Sequence, residues 1–327
     1  MTEKFTKLTD LAQPRLGAAV TYSTDDFFAD KSRLISPAEP VFIPDKYDDH
    51  GKWMDGWESR RRRGQGHDFC IVKLGRPGSI EGVEIDTRYF TGNYPPAASI
   101  DACSAKEEIP GERARWTSLV PRADLKGDDR RLIAVDNENV FTHVRLNIFP
   151  DGGVARLRVF GRVHVDWSLV GENDVIDLAA MEWGGRGVAA NDEHYGNVRN
   201  MIAPGRGVNM GDGWETRRRR TPGHDWAIIE LAHPGVIERI VVDTAHFKGN
   251  YPDCCSIQAS SAAANDKTLI AQAEKWPLIL PEQKLEADRE HIFGAEIKPH
   301  GPVQFVRLNI MPDGGVSRLR LFGRLSK

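Results

Sequence analysis

DGWESRRRRGQGHDFCIVKLGRPGSIEGVEIDTRYFTGNYPPAASIDACSA, residues 55–105, returns without a gap as DGWETRRRRTPGHDWAIIELAHPGVIERIVVDTAHFKGNYPDCCSIQASSA, residues 212–262, with 29 identities in 51 positions. A second block, VRLNIFPDGGVARLRVFGR from residue 144, returns as VRLNIMPDGGVSRLRLFGR from residue 306. A fainter block pairs DLA at residue 10 with DLA at residue 177, and Asp25, Asp26 and Phe28 with Asp192, Glu193 and Tyr195. Self-similarity on this scale sets the architecture before any local pattern is read. The offset between copies runs 167, 157 and then 162, so fixed blocks are separated by insertions, as loops tolerate. A chain of 327 residues accommodates two domains of ordinary size. The expected division is a first repeat over 1–165, a linker over 166–176 inside VDWSLVGENDVI, and a second repeat over 177–327.

Within each copy the apolar runs are short and rich in β-branched or aromatic residues: HDFCIVKL, IEGVEIDT, HVRLNIF and ARLRVFG, punctuated by PG, GNYP and PDGG. In VRLNI the alternation puts Val144, Leu146 and Ile148 on one face and Arg145 and Asn147 on the other, and Val306 to Ile310 repeats it. Many short strands without helical crossovers predict an all-β chain of two tandem antiparallel β-sandwiches. The closing strands, with their PDGG turn and FGR end, are similar to the end of a galactose-binding-like jelly roll.

Bulk properties exclude several classes. Lys plus Arg number 44 against 47 Asp plus Glu, a net charge of −3, so no global field draws nucleic acid. The apolar stretches fall far short of the roughly 20 residues that span a bilayer. The N-terminal MTEKFTKLTDLAQPRLGAAV lacks the features of a secretory signal, and a cytoplasmic protein is expected. Four cysteines, Cys70, Cys103, Cys254 and Cys255, form neither a disulfide framework nor a CxxC zinc pair, and read as buried thiols in a reducing compartment. No HExxH, HxH, GxSxG or phosphate-loop spacing occurs, so neither metal nor cofactor is expected.

Chemistry concentrates in DGWE[ST]RRRR-x-x-GHD, residues 55–68 and 212–225, where carboxylates, four guanidinium groups and an imidazole fall within fourteen residues. If the run is extended, Arg60 and Arg62 face one side and Arg61 and Arg63 the other, so half of it must meet something specific. His67 and His224 each precede an aspartate, and an imidazole oriented by a carboxylate suits proton transfer. The candidate catalytic set is therefore Glu58, His67 and Asp68 with Glu215, His224 and Asp225. For ligand binding the candidates are Arg61, Arg63 and Arg145 with Arg218, Arg220 and Arg307, joined by Asn93 and Tyr94 of the first GNYP loop and Asn250 and Tyr251 of the second. The competing structural roles are ion pairs for the arginines, a hydrogen-bonded strand start for the histidines and a packed tyrosine in a rigid turn.

Taken together, DGWE[ST]RRRR with GHD, DT followed by F-x-GNYP, and VRLNI-x-PDGG-x-x-RLR-x-FGR, each present twice, resemble the allantoicase family over nearly the whole chain. The resemblance implies two jelly-roll repeats, a homo-oligomer, and hydrolysis of allantoate to ureidoglycolate and urea in purine breakdown. It supplies no residue roles. Allantoate carries one carboxylate and two ureido groups on a central carbon, so its cleavage needs carboxylate recognition, a proton for the departing urea and an activated water. Arginine, histidine and Glu or Asp are candidates for those tasks. Two alternatives stand beside this reading: a non-catalytic sugar-binding sandwich and an enzyme acting on ureidoglycolate. The retention of the cluster in both copies leaves open two sites per chain or one site lined by both.

Overall fold

A computed structural model describes residues 4–111, 113–261 and 266–326, so the outer limits of the expected domains, residues 1 and 327, lie outside the described residues. The chain divides into two units, Met1–His164 and Val165–Lys327, and segment 166–176 goes with the second.

In the first unit the strands are β1 (Thr9–Asp10), β2 (Ala19–Ser23), β3 (Tyr47–Asp48), β4 (Gly51–Lys52), β5 (Trp57–Glu58), β6 (Asp68–Asp86), β7 (Ala97–Cys103), β8 (Thr117–Asp124), β9 (Arg130–Ala134), β10 (Val140–Phe149), β11 (Gly153–Val154) and β12 (Arg156–Val163). Eight of them form an antiparallel array ordered β1-β12-β6-β10-β7-β8, with β2 and β9 also on β6. The fold turns on β6, which is 19 residues long. Its first stretch pairs with β10 and β2 and its last with β12 and β9, so one strand serves both layers of the sandwich. Cys70, Val72 and Leu74 from the first stretch and Val83 and Ile85 from the last meet Val144, Leu146, Ile148, Leu157 and Val159 in one buried cluster. The alternation read in VRLNI is the alternation that fills this core.

The second unit repeats the plan with β13 (Ile176–Asp177), β14 (Arg186–Ala190), β15 (Trp214–Glu215), β16 (Asp225–Asp243), β17 (Cys254–Ser260), β18 (Leu278–Lys284), β19 (Glu290–Phe293), β20 (Val303–Met311), β21 (Gly315–Val316) and β22 (Arg318–Leu325). Its array runs β13-β22-β16-β20-β17-β18, with β14 and β19 on β16. Among the described residues it adds one feature the first unit lacks, a short helix α1 (Asp266–Ala273) between β17 and β18. Leu269, Ala273 and Trp276 of that region pack on Ile228 and Phe305, covering part of the outer sheet face. All four cysteines are buried and unpaired, and burial pushes the Cys103 and Cys254 thiols up to about 11 and Cys255 to about 12, which makes them poor nucleophiles.

Candidate active site

Three of the repeated motifs converge at one end of each unit. Strand β5, the WE of DGWE, pairs with β11 of the PDGG turn, setting Glu58 opposite Gly153; β15 and β21 set Glu215 opposite Gly315. The GNYP loop closes the other side: Gly153 N–H donates to the Asn93 carbonyl at 2.7 Å and Gly315 N–H to that of Asn250 at 2.8 Å. Glycine is required here because a Cβ on Gly153 or Gly315 would run into the ring of Phe90 or Phe247. The first residue of DGWE holds the frame from behind. Asp55 pairs with the buried Arg156 at 2.7 Å and Asp212 with Arg318 at 2.9 Å, an explanation for the RLR motif. Trp57 and Trp214 are wholly buried and donate to the carbonyls of Asp25 and Asp192, each at 2.8 Å.

This frame places a carboxylate and an amide together. Asn93 Nδ2 donates to Glu58 Oε1 at 2.7 Å, and Asn250 Nδ2 makes the same bond to Glu215. Burial raises the proton affinity of both glutamates, and the single amide donor offsets only part of that. An exposed glutamate needs no such arrangement. A half-buried one without a cationic partner holds its proton more tightly than a free glutamate does, which suits a proton donor.

The histidines are held by a chain of amides. His67 Nε2 meets Asn147 Oδ1 at 3.2 Å, and its ring lies 4.6 Å from that of Phe149. Asn147 Nδ2 donates to Ser99 Oγ at 3.1 Å and to Asp101 Oδ2 at 2.9 Å. A carboxylate only accepts, so Asp101 fixes the orientation of the Asn147 amide, and Asn147 in turn fixes the proton on His67 Nε2, leaving Nδ1 as an acceptor. In the second unit His224 Nε2 meets Asn309 Oδ1 at 3.2 Å, while Asn309 Nδ2 donates to Gln258 Oε1 at 3.0 Å and Ser256 Oγ at 3.3 Å. Gln258 is itself oriented, because its Nε2 donates to the carbonyls of Glu274 and Trp276 at 2.8 and 2.9 Å. Both relays therefore produce the same histidine tautomer by different chemistry.

The arginine run lies in the loop between β5 and β6 rather than on a strand, yet its alternation persists. Arg60 pairs with Asp25 and Arg62 with Asp68, at 2.6 and 3.1 Å; Arg217 pairs with Asp192 and Arg219 with Asp225, at 2.8 and 2.7 Å. Asp151 and Asp313 of the PDGG turns accept the backbone N–H groups of Arg62 and Arg219. Arg61, Arg63, Arg218 and Arg220 are exposed and make no ion pair among the described residues. The expected pairing of each histidine with the next aspartate does not occur. Asp68 and Asp225 are buried and taken up by Arg62 with Thr24 and by Arg219 with Asn191, because the chain direction at the start of β6 and β16 turns them inward. Tyr94 packs its ring against the cluster of Met54, Phe90 and Ala155, and Tyr251 is half-buried at the matching place.

Arg145 and Arg307 occupy the same position of VRLNI, two residues before the relay asparagine, and differ in their partners. Arg145 donates to Asp101 Oδ2 from Nη2 at 2.7 Å and Nε at 3.2 Å, with its guanidinium 4.5 Å from the Trp116 ring. At Asp101 the second repeat has Gln258, one of the mismatches in the aligned block. Arg307, only 6% exposed, lies 5.2 Å from the Trp226 ring and has a buried Nε with no partner. Burial lowers its pKa, and the charge of Glu274, which forms no ion pair with it among the described residues, works in the opposite direction.

Sequence reading missed Asn147 and Asn309, and with them Asp101 and Gln258. The asparagines sit on the outward face of a strand already aligned between the copies, beside arginines that were singled out, and that placement was the available signal. Among the described residues no group of three His, Cys, Asp or Glu side chains is arranged to hold a metal ion, and no helix is long and apolar enough to cross a membrane.

The allantoicase repeat model matches residues 9–164 and 176–326. A Burkholderia mallei protein named "Probable allantoicase 1" is 57% identical over 97% of this chain and 95% of its own length. A Ralstonia nicotianae protein named "Probable allantoicase" is 56% identical over 97% and 94%. The crystal structure of allantoicase from Saccharomyces cerevisiae superposes with a TM-score of 0.82 at 36% identity, covering 97% of this chain and 93% of that one. With both repeats matched, and with identity of this order over nearly the whole length, the chain belongs to the allantoicase family.

Proposed function

We propose that this protein hydrolyses allantoate to ureidoglycolate and urea. The observation that carries the reading, beside family membership, is that each repeat holds a glutamate whose proton affinity burial raises, opposite the turn that follows the VRLNI strand, and a histidine oriented by the asparagine of that strand. In the reaction water adds its oxygen to the central carbon, the bond from that carbon to one ureido nitrogen breaks, and the nitrogen leaves with its electron pair and a proton as urea. Glu58 or Glu215, held towards its protonated form by burial, gives the proton to the leaving nitrogen. His67 or His224, with Nε2–H engaged by asparagine, takes the proton from water at Nδ1. Asn93 and Asn250 hold the glutamates, Asp68 and Asp225 position the arginine loop, and unpaired arginines receive the substrate carboxylate. Incubation of the purified protein with allantoate should release urea and ureidoglycolate at equal rates; no release, or release of urea from ureidoglycolate alone, sinks the proposal.

The same reading has the enzyme working as a homo-oligomer in the cytoplasm. Exposed Val41, Phe42, Ile43 and Tyr47 supply apolar surface of the kind that subunit contacts cover, and four unpaired thiols suit a reducing compartment. A monomeric mass in sedimentation at micromolar concentration would contradict the first, and recovery of the native protein outside the cytoplasm the second.

A further inference from the structure

The two repeats carry the same arginine on the same strand, but only Arg145 has a carboxylate on its Nε, while the buried Nε of Arg307 has no acceptor. In the first repeat Asp101 Oδ2 takes both Nε and Nη2 of Arg145. In the second the residue opposite is Gln258, whose carbonyl oxygen is spent on Asn309 and whose amide is spent on two backbone carbonyls. Among the described residues no carboxylate forms an ion pair with Arg307, and Glu274 acts on it only through space. Arg307 is buried, its Nε finds no substitute partner, and the atom left orphaned is one of the two that hold a carboxylate in the other repeat. A desolvated guanidinium N–H without an acceptor is costly unless a ligand oxygen arrives to satisfy it.

We infer that Arg307 is the seat for the substrate carboxylate, and that the second repeat is the carboxylate-binding half of the chain while Asp101 fills the corresponding seat in the first. The bound anion takes the place that Asp101 has beside Arg145, accepting from Nε and an Nη of Arg307. Trp226 flanks the guanidinium, and Asn309, on the same strand face two residues along, leads from the seat to His224. Gln258 is the residue that makes this possible. It carries the orienting task of Asp101 in the histidine relay without bringing the charge that would close the seat, so relay and receptor coexist only in the second repeat.

The identity of the carboxylate as allantoate rests on the proposed function; the seat itself does not. The test is calorimetric titration of the full-length protein with ureidoacetate, which keeps one ureido group and the carboxylate and has no second urea to release. Wild-type protein should bind one molecule per chain, and Arg307→Met should weaken binding about tenfold or more, as loss of a charged hydrogen-bond pair does. Because that variant leaves a hole beside Trp226, the reciprocal pair Gln258→Asp and Asp101→Gln provides the second arm. Gln258→Asp should close the seat, and Asp101→Gln should open another and raise the count to two. Binding that survives both Arg307→Met and Gln258→Asp, or that Arg145→Met weakens as much as Arg307→Met does, overturns the inference. Urea release from allantoate, followed in parallel, separates the two claims. Undiminished release by Arg307→Met rejects the seat and keeps the hydrolase, whereas Arg307-dependent binding with no release by wild type keeps the seat and rejects the hydrolase.

Discussion

The first repeat closes a carboxylate of its own on the arginine of VRLNI, and the second does not. Asp101 closes on Arg145 in one, while Gln258 leaves the Nε of Arg307 open in the other, yet both repeats orient a histidine through asparagine and hold a half-buried glutamate through the GNYP loop. Duplication supplies two copies of the constellation, and one internal carboxylate is enough to occupy the place beside the arginine in one of them. The difference teaches that likeness in the motif residues does not establish likeness in function; the residue across the strand decides it. The largest expected effect follows directly. Glu215→Gln keeps the hydrogen-bonding shape beside Asn250 but removes the transferable proton, and should reduce allantoate turnover by roughly 10²–10⁴-fold, the usual worth of a general acid. Glu58→Gln should cost less, because its repeat has no free carboxylate seat. Steady-state rates for the two variants check this, and equal losses would break the comparison in favour of two equivalent sites.

Much of this was open to reading in the sequence, for identifiable reasons. The duplication and the face alternation of VRLNI are local patterns, and Val144, Leu146 and Ile148 are wholly buried as the alternation requires. The split of the arginine run is also local: Arg60 and Arg62 take carboxylates and Arg61 and Arg63 do not. The relay was out of reach because its members are far apart in sequence. His67 meets Asn147 across two paired strands, and Asn147 meets Asp101 across the next pair. Adjacent residues invited a pairing of His67 with Asp68 that the strand geometry forbids, since neighbours on a strand point to opposite faces. The mismatch of Asp101 with Gln258 was visible in the alignment, but its meaning depended on knowing that Arg145 and Arg307 stand opposite it.

A smaller asymmetry lies at the strand that opens each repeat. Asp10 Oδ1 accepts from the backbone of Ala12 and Val159, and Asp177 Oδ1 from that of Ala179 and Leu321, each with an arginine 3.7 Å away. Five residues on, the first repeat has Arg15 and the second Glu182. Burial pushes Asp177 up to about 6, and Glu182 adds to the effect. A carboxyl whose folded value lies above its unfolded one binds its proton more tightly in the folded state. Its ionisation therefore costs stability as pH rises, with the loss beginning near the ordinary aspartate value of 3.8 and complete above about 6. The loss amounts to about 3 kcal/mol at most, because each tenfold difference in proton affinity between the folded and unfolded chain is worth roughly 1.4 kcal/mol. Asp177→Asn keeps an oxygen for both backbone donors and removes the titration, so denaturant unfolding of that variant should lose the decline with pH that wild type shows across this window. Glu182→Arg, which copies the first repeat, should shift the decline to lower pH without abolishing it. Parallel pH profiles for wild type and Asp177→Asn would assign the asymmetry to some other group in the second repeat.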